Sequence, residues 1–407
     1  MNAEHPFARR ASTLLTTLRD KGEYKQLQTL ESTMGPVVRL RRPDGKVHEA
    51  LCFCSNNYLG LADHPEVVEA GIKGLRDYGA GTASVRFICG TFAPHHALEA
   101  RIASMLDQEA AYSFVSCWTA TEAIFPTLAE PGDAIISDAL NHACIIDSIR
   151  LSSVVKKGVN RFVYPNNNLA ELEARLVEAK AAVAPTNGVI FVVTDGVFSM
   201  EGSIADLPKM RALCDSFGAL LVVDDSHGTG VMGKTGRGTH EQYGMPGAGI
   251  DMFSGTLGKA LGGGAGGYLA GPKLAIDTIV QRARPTLFSN ALPVTVACSA
   301  DKAIEVMLRE PQRVQRLRDN VAYARQKIKA AGLEVLDSPT AICPIIVHET
   351  AKAIAMSKRL LELGVYVIGF GYPVVPEGHA RLRCQISAAH TREHIDVLVD
   401  GLKKVAG

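Results

Sequence analysis

Four apolar residues, Leu220 to Val223, run without a break into Asp224 and Asp225. A run with β-branched residues and no polar alternation suits a strand buried on both faces of a parallel sheet. Such a strand needs helices above and below it. The chain supplies them, because from Ala110 onward short apolar runs alternate with helical stretches. The pattern predicts strands over 111–115, 134–137, 152–156, 188–194, 219–224, 251–255 and 266–270. It predicts helices over 118–129, 142–150, 169–183 and 206–217. The fold class that follows is α/β, with a mostly parallel central sheet covered by helices on both faces.

The flanking segments read differently. Residues 5–33 are charged and amphipathic, which predicts one or two helices docked on the body or on a partner subunit. Val37 to Phe53 alternates around Pro43-Asp44-Gly45 and reads as a hairpin. SNNYLGL follows as a loop, and 65–78 and 94–107 read as helices. After Pro293 a long helical stretch covers 293–331. A strand at 341–347, a helix at 350–364, strands near 365–369 and 381–387 and a helix at 391–405 follow. The expected division is 1–55 as an N-terminal helical and hairpin segment, 56–292 as a large α/β domain, and 293–407 as a smaller α+β C-terminal domain.

Charge narrows the partners. Lys and Arg number 43 against 42 acidic residues, a formal +1, and no basic stripe carries interleaved aromatics, so nucleic acid is not expected. No apolar run is long enough to span a membrane. The segment MNAEHPFARRAS lacks the apolar core of a secretory signal, which points to the cytoplasm. The nine cysteines are dispersed, without CxxC or Cys/His metal spacing, so they read as reduced thiols and no metal site is expected.

Asp224 falls at the C-terminal end of its strand, where open α/β sheets bind ligands. A carboxylate there is costly unless paired. His227 follows three residues later. The next predicted strand ends in SGTLGKALGG, which places Thr256 three residues before Lys259 among small residues. An acid, an imidazole, a hydroxyl and a lysine in this order are the groups that pyridoxal phosphate (PLP) chemistry requires. The lysine forms a Schiff base, the acid pairs with the protonated pyridine nitrogen and the hydroxyl takes the phosphate. Small residues let the flat ring approach the backbone. The bland alternative is a strand end with a satisfied acid and a capping histidine. The ordered arrival of Thr256 and Lys259 weighs against it.

Other positions gain meaning with the cofactor. Ser116, Cys117 and Trp118 lie between a strand and a helix, where amides bind phosphate, or form a plain turn. His142, near a helix start in DALNHACIIDS, suits stacking on the pyridine face, or caps the helix. Ser199, in TDGVFSMEG, suits a bond to the phenolic oxygen. The guanidinium fork of Arg383, in ARLRCQISAAH, suits a carboxylate, though a strand arginine is commonly solvated. One motif competes. Gly228 to Thr235 matches GxxxxGK[ST], but a phosphate cradle needs a helix to follow, and Gly236 and Gly238 oppose one. A P-loop nucleotide binder is therefore the remote alternative. Gly262, Gly264 and Gly267 also spell GxGxxG without the flanking strand and helix.

Together, SNNYLGLADHP, GTASVRFICGT, SDALNHACIIDS, TDGVFSMEG, VDDSHGTGVMGKTGRG, SGTLGKALGG, RPTLFSN and ARLRCQISAAHT resemble the α-oxoamine synthase family. Its members are fold-type I, PLP-dependent acyl-CoA:amino-acid C-acyltransferases, and the likeness runs over about residues 10–405 in family order. ASVRFICGT, SDALNHA and FGYPVVPEGHARLR point to the branch that joins glycine to acetyl-CoA. Branches using a longer acyl-CoA or another amino acid are the alternative. The resemblance implies Lys259 as Schiff-base lysine and acid/base, and Asp224 on the pyridine nitrogen. It implies His227 and Ser199 on the phenolic oxygen and His142 on the ring. Ser116, Cys117, Trp118 and Thr256 would hold phosphate, with Ser289 reaching across from the other subunit of a homodimer. Asn56 and Arg383 would hold the amino-acid carboxylate, and Val85 and Phe87 would make the acyl side apolar. Non-catalytic relatives lack the lysine, which this chain has. Trp118 and Thr121 depart from the phenylalanine and asparagine of the family's acetyltransferases.

Overall fold

Leu220–Asp224 is the fourth of seven strands in the central sheet. The order across the sheet is Ala110–Phe114, Gly267–Gly271, Met252–Thr256, Leu220–Asp224, Ile190–Asp195, Ala134–Asp138 and Asn160–Tyr164. Gly267–Gly271 runs antiparallel to both of its neighbours, and the other pairings are parallel. The computed structural model describes residues 5–42, 44–372 and 374–406. Pro43 of the predicted turn and Pro373 of the FGYPVVPEGHARLR stretch lie outside the described residues.

Alternation along the strands builds a core on each face. Leu221 and Val223 pack with Val192, Ile136 and Phe253 on one side. Val222 packs with Phe191, Val193, Ile135 and Met252 on the other. Successive side chains of a strand point to opposite faces, so an uninterrupted apolar run is what a sheet covered on both sides demands. Pro65–Tyr78, Ala93–Met105 and Val294–Arg309 contribute to the first core, and Ala143–Val155 and Lys273–Arg282 to the second.

Several predicted elements shift. Residues 152–156 end the helix Ala143–Val155 instead of forming a strand, and the strand is Asn160–Tyr164. That edge strand alternates in burial, and its Arg161 and Val163 are exposed, so it carries no apolar run. The stretch 293–331 is two helices, Val294–Arg309 and Gln312–Ala330, broken at Glu310 and Pro311. The stretch 118–129 divides into Cys117–Glu122 and Phe125–Leu128. Only Pro6–Asp20 is helical in the N-terminal segment, and it buries none of its residues. The strand expected near 365–369 serves two sheets. Val365–Tyr366 pairs in parallel with Val47–Cys52 of the hairpin, and Ile368–Phe370 pairs with Ala380–Gln385. The hairpin read as part of an N-terminal segment is thereby tied to C-terminal residues.

Asp225 fastens the loop that leaves the central strand. Its fully buried carboxylate accepts from Thr239 N at 2.9 Å, Thr239 Oγ1 at 2.5 Å and Thr229 Oγ1 at 3.2 Å. A Cβ on Gly228 or Gly238 would meet this carboxylate at 2.0 or 1.9 Å, and Gly238 also has φ +124°. Asp225→Ala strands three buried donors and is expected to cost about 3 kcal/mol. A urea unfolding midpoint that matches the unsubstituted protein would refute this role.

Candidate active site

The loops after Phe114, Asp138, Asp195, Asp224 and Thr256 leave the sheet at its C-terminal edge. They carry Ser116 to Trp118, His142, Ser199, His227 and Lys259 in turn. Asp224 itself is 5% exposed. Its Oδ1 accepts from Ser226 N at 3.1 Å and its Oδ2 from Ser254 Oγ at 2.7 Å, with Cys117 Sγ 3.5 Å away. The thiol takes the second lone pair of Oδ2, and Oδ1 keeps one for another N–H. Burial, and then the nearby Asp224 charge, raise the Cys117 thiol well above its usual range.

Lys259 forms no hydrogen bond or ion pair among the described residues. Burial lowers its pKa against the opposing pull of Asp224, and Arg383 lowers it further. His142 caps Ala143–Val155, with Nδ1 accepting from Cys144 N at 3.2 Å. Its ring stands open at the surface, edge-on to Trp118 at 6.1 Å, and desolvation by the surrounding protein lowers its pKa. His227 is buried, and that burial with the charges of Lys259 and Arg383 holds its pKa well below the ordinary value. Thr256 Oγ1 accepts from Gly258 N at 3.0 Å. Ser116 caps Cys117–Glu122 reciprocally with Thr119. A Cβ on Gly267 would meet the Cys117 backbone at 2.3 Å, so only glycine lets this strand run against the Ser116–Cys117 turn.

The second wall comes from the C-terminal residues. Arg383 is 8% exposed, and no carboxylate lies within ion-pairing distance of it among the described residues. Two residues earlier on the same strand face, Arg381 donates to Met200 O at 2.9 Å and Glu201 Oε1 at 3.1 Å, which ties the strand to the Ser199 loop. Asn56 lies 2.8 Å from the Gln385 carboxamide and 3.1 Å from Tyr58 Oη. Sequence reading missed Tyr58, Gln385, Ser254 and Asp195. Asp195 stands in register with Asp224, and burial and then that neighbour push its carboxyl well above the usual range. Polar residues inside otherwise apolar strands, such as Ser254, are the signal that was available.

Val85, Phe87 and Ser289 gather elsewhere. Val85 precedes the short helix Arg86–Cys89, which packs on Arg284–Phe288, and Ser289 follows that helix. Arg86, between Val85 and Phe87, is committed to a buried bidentate pair with Glu99 at 2.5 and 3.1 Å. Phe87 is 66% and Phe288 70% exposed.

Residues 49–402 match the model of the aminotransferase class I and II family. The chain is 43% identical to a 2-amino-3-ketobutyrate coenzyme A ligase of Salmonella typhimurium, over 98% of this chain and 97% of that one. It is 42% identical to the mitochondrial protein of that name from Homo sapiens, over 96% of this chain and 90% of that one. A serine palmitoyltransferase variant from S. paucimobilis, solved with a bound PLP–myriocin aldimine, superposes with a TM-score of 0.88 at 28% identity. That match covers 98% of this chain and 96% of the other.

The P-loop look-alike is satisfied from within the chain. Thr235 N donates to Glu241 Oε1 and Oε2 at 3.1 Å, Arg237 N to Oε2 at 2.9 Å, and Thr235 Oγ1 to Oε1 at 2.8 Å. Gly233 N donates to Gln242 Oε1 at 3.3 Å, and Arg318 binds Gly233 O. A carboxylate of the chain itself therefore takes the amides that a phosphate would need. Lys234→Ala is expected to leave ATP binding undetectable and folding unchanged, as in the unsubstituted protein. Calorimetric binding of ATP that Lys234→Ala abolishes would overturn this.

Proposed function

The chain belongs to the α-oxoamine synthase branch of the class I and II aminotransferase family. From that premise we propose that it is a PLP-dependent acyltransferase which joins glycine to acetyl-CoA and releases CoA. The reading is that of a glycine C-acetyltransferase, or 2-amino-3-ketobutyrate coenzyme A ligase. One observation carries it: a half-buried lysine and a buried arginine, Lys259 and Arg383, have no ion-pair partner among the described residues and face the same cleft, where the charge of Arg383 lowers the Lys259 pKa. Unpaired buried cations are costly unless a ligand supplies anions.

The donor set fits PLP. Asp224 is buried, is oriented by Ser254 and Ser226, and retains acceptor capacity. His142 presents an open ring, and Lys259 has an amine without a partner among the described residues. When bound, PLP supplies the electron sink that makes the amino-acid Cα–H acidic. Asp224 would accept the pyridine N–H and stabilise its proton. His227 and Ser199 would hold the phenolic oxygen. Ser116, Cys117, Trp118 and Thr256 would hold phosphate, joined by Ser289 of the partner subunit in a homodimer. Exposed Phe87, Ile88 and Phe288 beside Ser289 support that assembly. Asn56 and Arg383 would bind the glycine carboxylate. Lys259, its pKa lowered by burial, takes the proton from Cα. A bond forms between that carbon and the acyl carbon, the acyl C–S bond breaks, and CoA leaves. A cytoplasmic location belongs to the same proposal, supported by nine cysteines that are all free thiols.

A longer acyl chain is the second reading. A cavity of about 310 Å³ flanks the Lys259 loop, lined mainly by apolar side chains such as Leu257, Leu261, Val67, Val68 and Val296. Trp118, edge-on to His142, also alters the wall that a phenylalanine would form.

Lys259→Ala is expected to abolish both turnover and the near-visible absorbance of the lysine-bound cofactor. Asp224→Asn is expected to retain PLP poorly and lose most activity, because an amide stabilises a pyridinium less well. A lysine-bound Schiff-base chromophore together with turnover in Lys259→Ala, or near-normal turnover in Asp224→Asn, would reject these roles.

Substrate choice is the second test. Val85 and Phe87 offer a succinyl carboxylate no partner, and Arg86 is held by Glu99. Leaving that carboxylate unpaired costs roughly 2 kcal/mol or more, a bias of at least about tenfold in kcat/KM. Acetyl-, propionyl-, hexanoyl- and succinyl-CoA, each tried with glycine, alanine and serine, settle the matter. Acetyl-CoA with glycine is expected to lead. A hexanoyl preference favours the second reading, and a succinyl preference refutes the role given to Val85 and Phe87.

A further inference from the structure

We infer that Arg383 fixes the tautomer of His227 through two uncharged side chains, Gln385 and Tyr58, which act as positioning residues. Hydrogen-bond direction decides the tautomer. A guanidinium only donates. Its Nε, Nη1 and Nη2 lie 3.2, 2.9 and 2.7 Å from one atom of the Gln385 carboxamide, and that atom must therefore be the oxygen. The NH2 of Gln385 then lies 3.0 Å from Tyr58 Oη and donates to it. The same Gln385 oxygen lies 2.8 Å from the Asn56 carboxamide atom that also stands 3.1 Å from Tyr58 Oη; two carboxamide oxygens cannot pair, so that Asn56 atom is its NH2, a donor to both and no acceptor for Tyr58. Tyr58 has a single proton to give, and His227 Nδ1 lies 2.8 Å from the hydroxyl. Tyr58 donates there, so Nδ1 is an acceptor and the imidazole proton sits on Nε2.

Burial makes the chain decisive. Tyr58 and Gln385 are each 1% exposed and His227 is 7% exposed, so little water competes for their hydrogen bonds. Burial and the positive charges of Lys259 and Arg383 hold His227 neutral near pH 7, which agrees with an acceptor at Nδ1. The opposite orientation would set the Gln385 NH2 against three guanidinium donors. It would also reverse the chain, with Tyr58 donating to Gln385 and His227 donating from Nδ1. Nε2 would then be an acceptor.

The consequence for catalysis rests on the function proposed above. There, His227 offers Nε2–H to a phenolic oxygen, and the residue that binds the substrate carboxylate holds that donor in place from the far side of the cleft. The charge on Arg383 thus acts at a distance through two neutral links.

The tautomer can be read directly. Nitrogen-15 spectra of the full-length protein, labelled at histidine and assigned with His227→Gln, report which ring nitrogen carries the proton. This measurement requires neither turnover nor added cofactor, so it stands or falls apart from the proposed function. The expected result is a neutral Nε2–H tautomer across pH 6 to about 9. In Tyr58→Phe the Nδ1 signal is expected to lose its hydrogen-bond shift and the two tautomers to mix. In Gln385→Met the change is expected in the same direction. An Nδ1–H tautomer in the unsubstituted protein overturns the inference. So does a His227 signal left unchanged by both substitutions.

Discussion

Two carboxylates at the end of one buried strand divide the work of the molecule between them. Neighbours on a strand point to opposite sides, so Asp224 and Asp225 face different surroundings. Asp224 turns toward Cys117, Ser226 and Ser254 at the mouth of the sheet. Asp225 turns into a cage of glycines and threonines, where its acceptors are used on Thr229 and Thr239. The second carboxylate holds the chain that leaves the strand, and that chain carries His227 within its first turn. A rigid strand end thus places both an acid and an imidazole without relying on a flexible loop.

The opposite wall depends on a second strand in the same manner. Arg381, Arg383 and Gln385 share one face of Ala380–Gln385, and all three are buried. Arg381 is anchored on Met200 and Glu201, Gln385 reaches Tyr58, and Arg383 between them has no anionic partner among the described residues. Its neighbours therefore restrain the guanidinium while its charge remains available. Because Arg381 binds the loop after Ile190–Asp195, any movement of the C-terminal strand would also displace the loop of Ser199.

Much of this was legible in the sequence, for local reasons. Apolar runs ending in Asp224 or Thr256 announce a strand and its ligand-facing end together. The helix 65–78 and the helix 169–183 follow from their periodicity and agree with the structure. Failures came where a local pattern misleads. Ser152 and Ser153 beside Val154 and Val155 imitate a strand, yet each serine hydroxyl donates to Ile149 O within a helix. The edge strand Asn160–Tyr164 faces water on alternate residues and so lacks the apolar signature. Tyr58 and Gln385 escaped notice because their partners are remote in the chain. Tyr58 and His227 are 169 positions apart, and Asn56 and Gln385 are 329 apart. Pairings of that span leave no trace in a local window, and only the fold makes them visible.

On the function proposed above, the electrostatic balance of the cleft favours an amino acid over a simple amine. Lys259 and Arg383 concentrate positive potential where burial weakens screening, and that potential helps keep the desolvated His227 neutral. Asp224 offsets part of it at the sheet edge, and Asp195 is held toward its neutral form by burial and by Asp224. Ion pairs among the described residues therefore do not complete the site, and on that function an incoming carboxylate would meet a guanidinium that is already oriented and already desolvated. A ligand without that carboxylate would leave Arg383 buried and unpaired. Such a loss is larger than that of an exposed contact, because the protein side of the pair cannot return to water. Selectivity for a carboxylate then follows from the same burial that lowers the lysine pKa, and both trace to how tightly the two strand ends are packed.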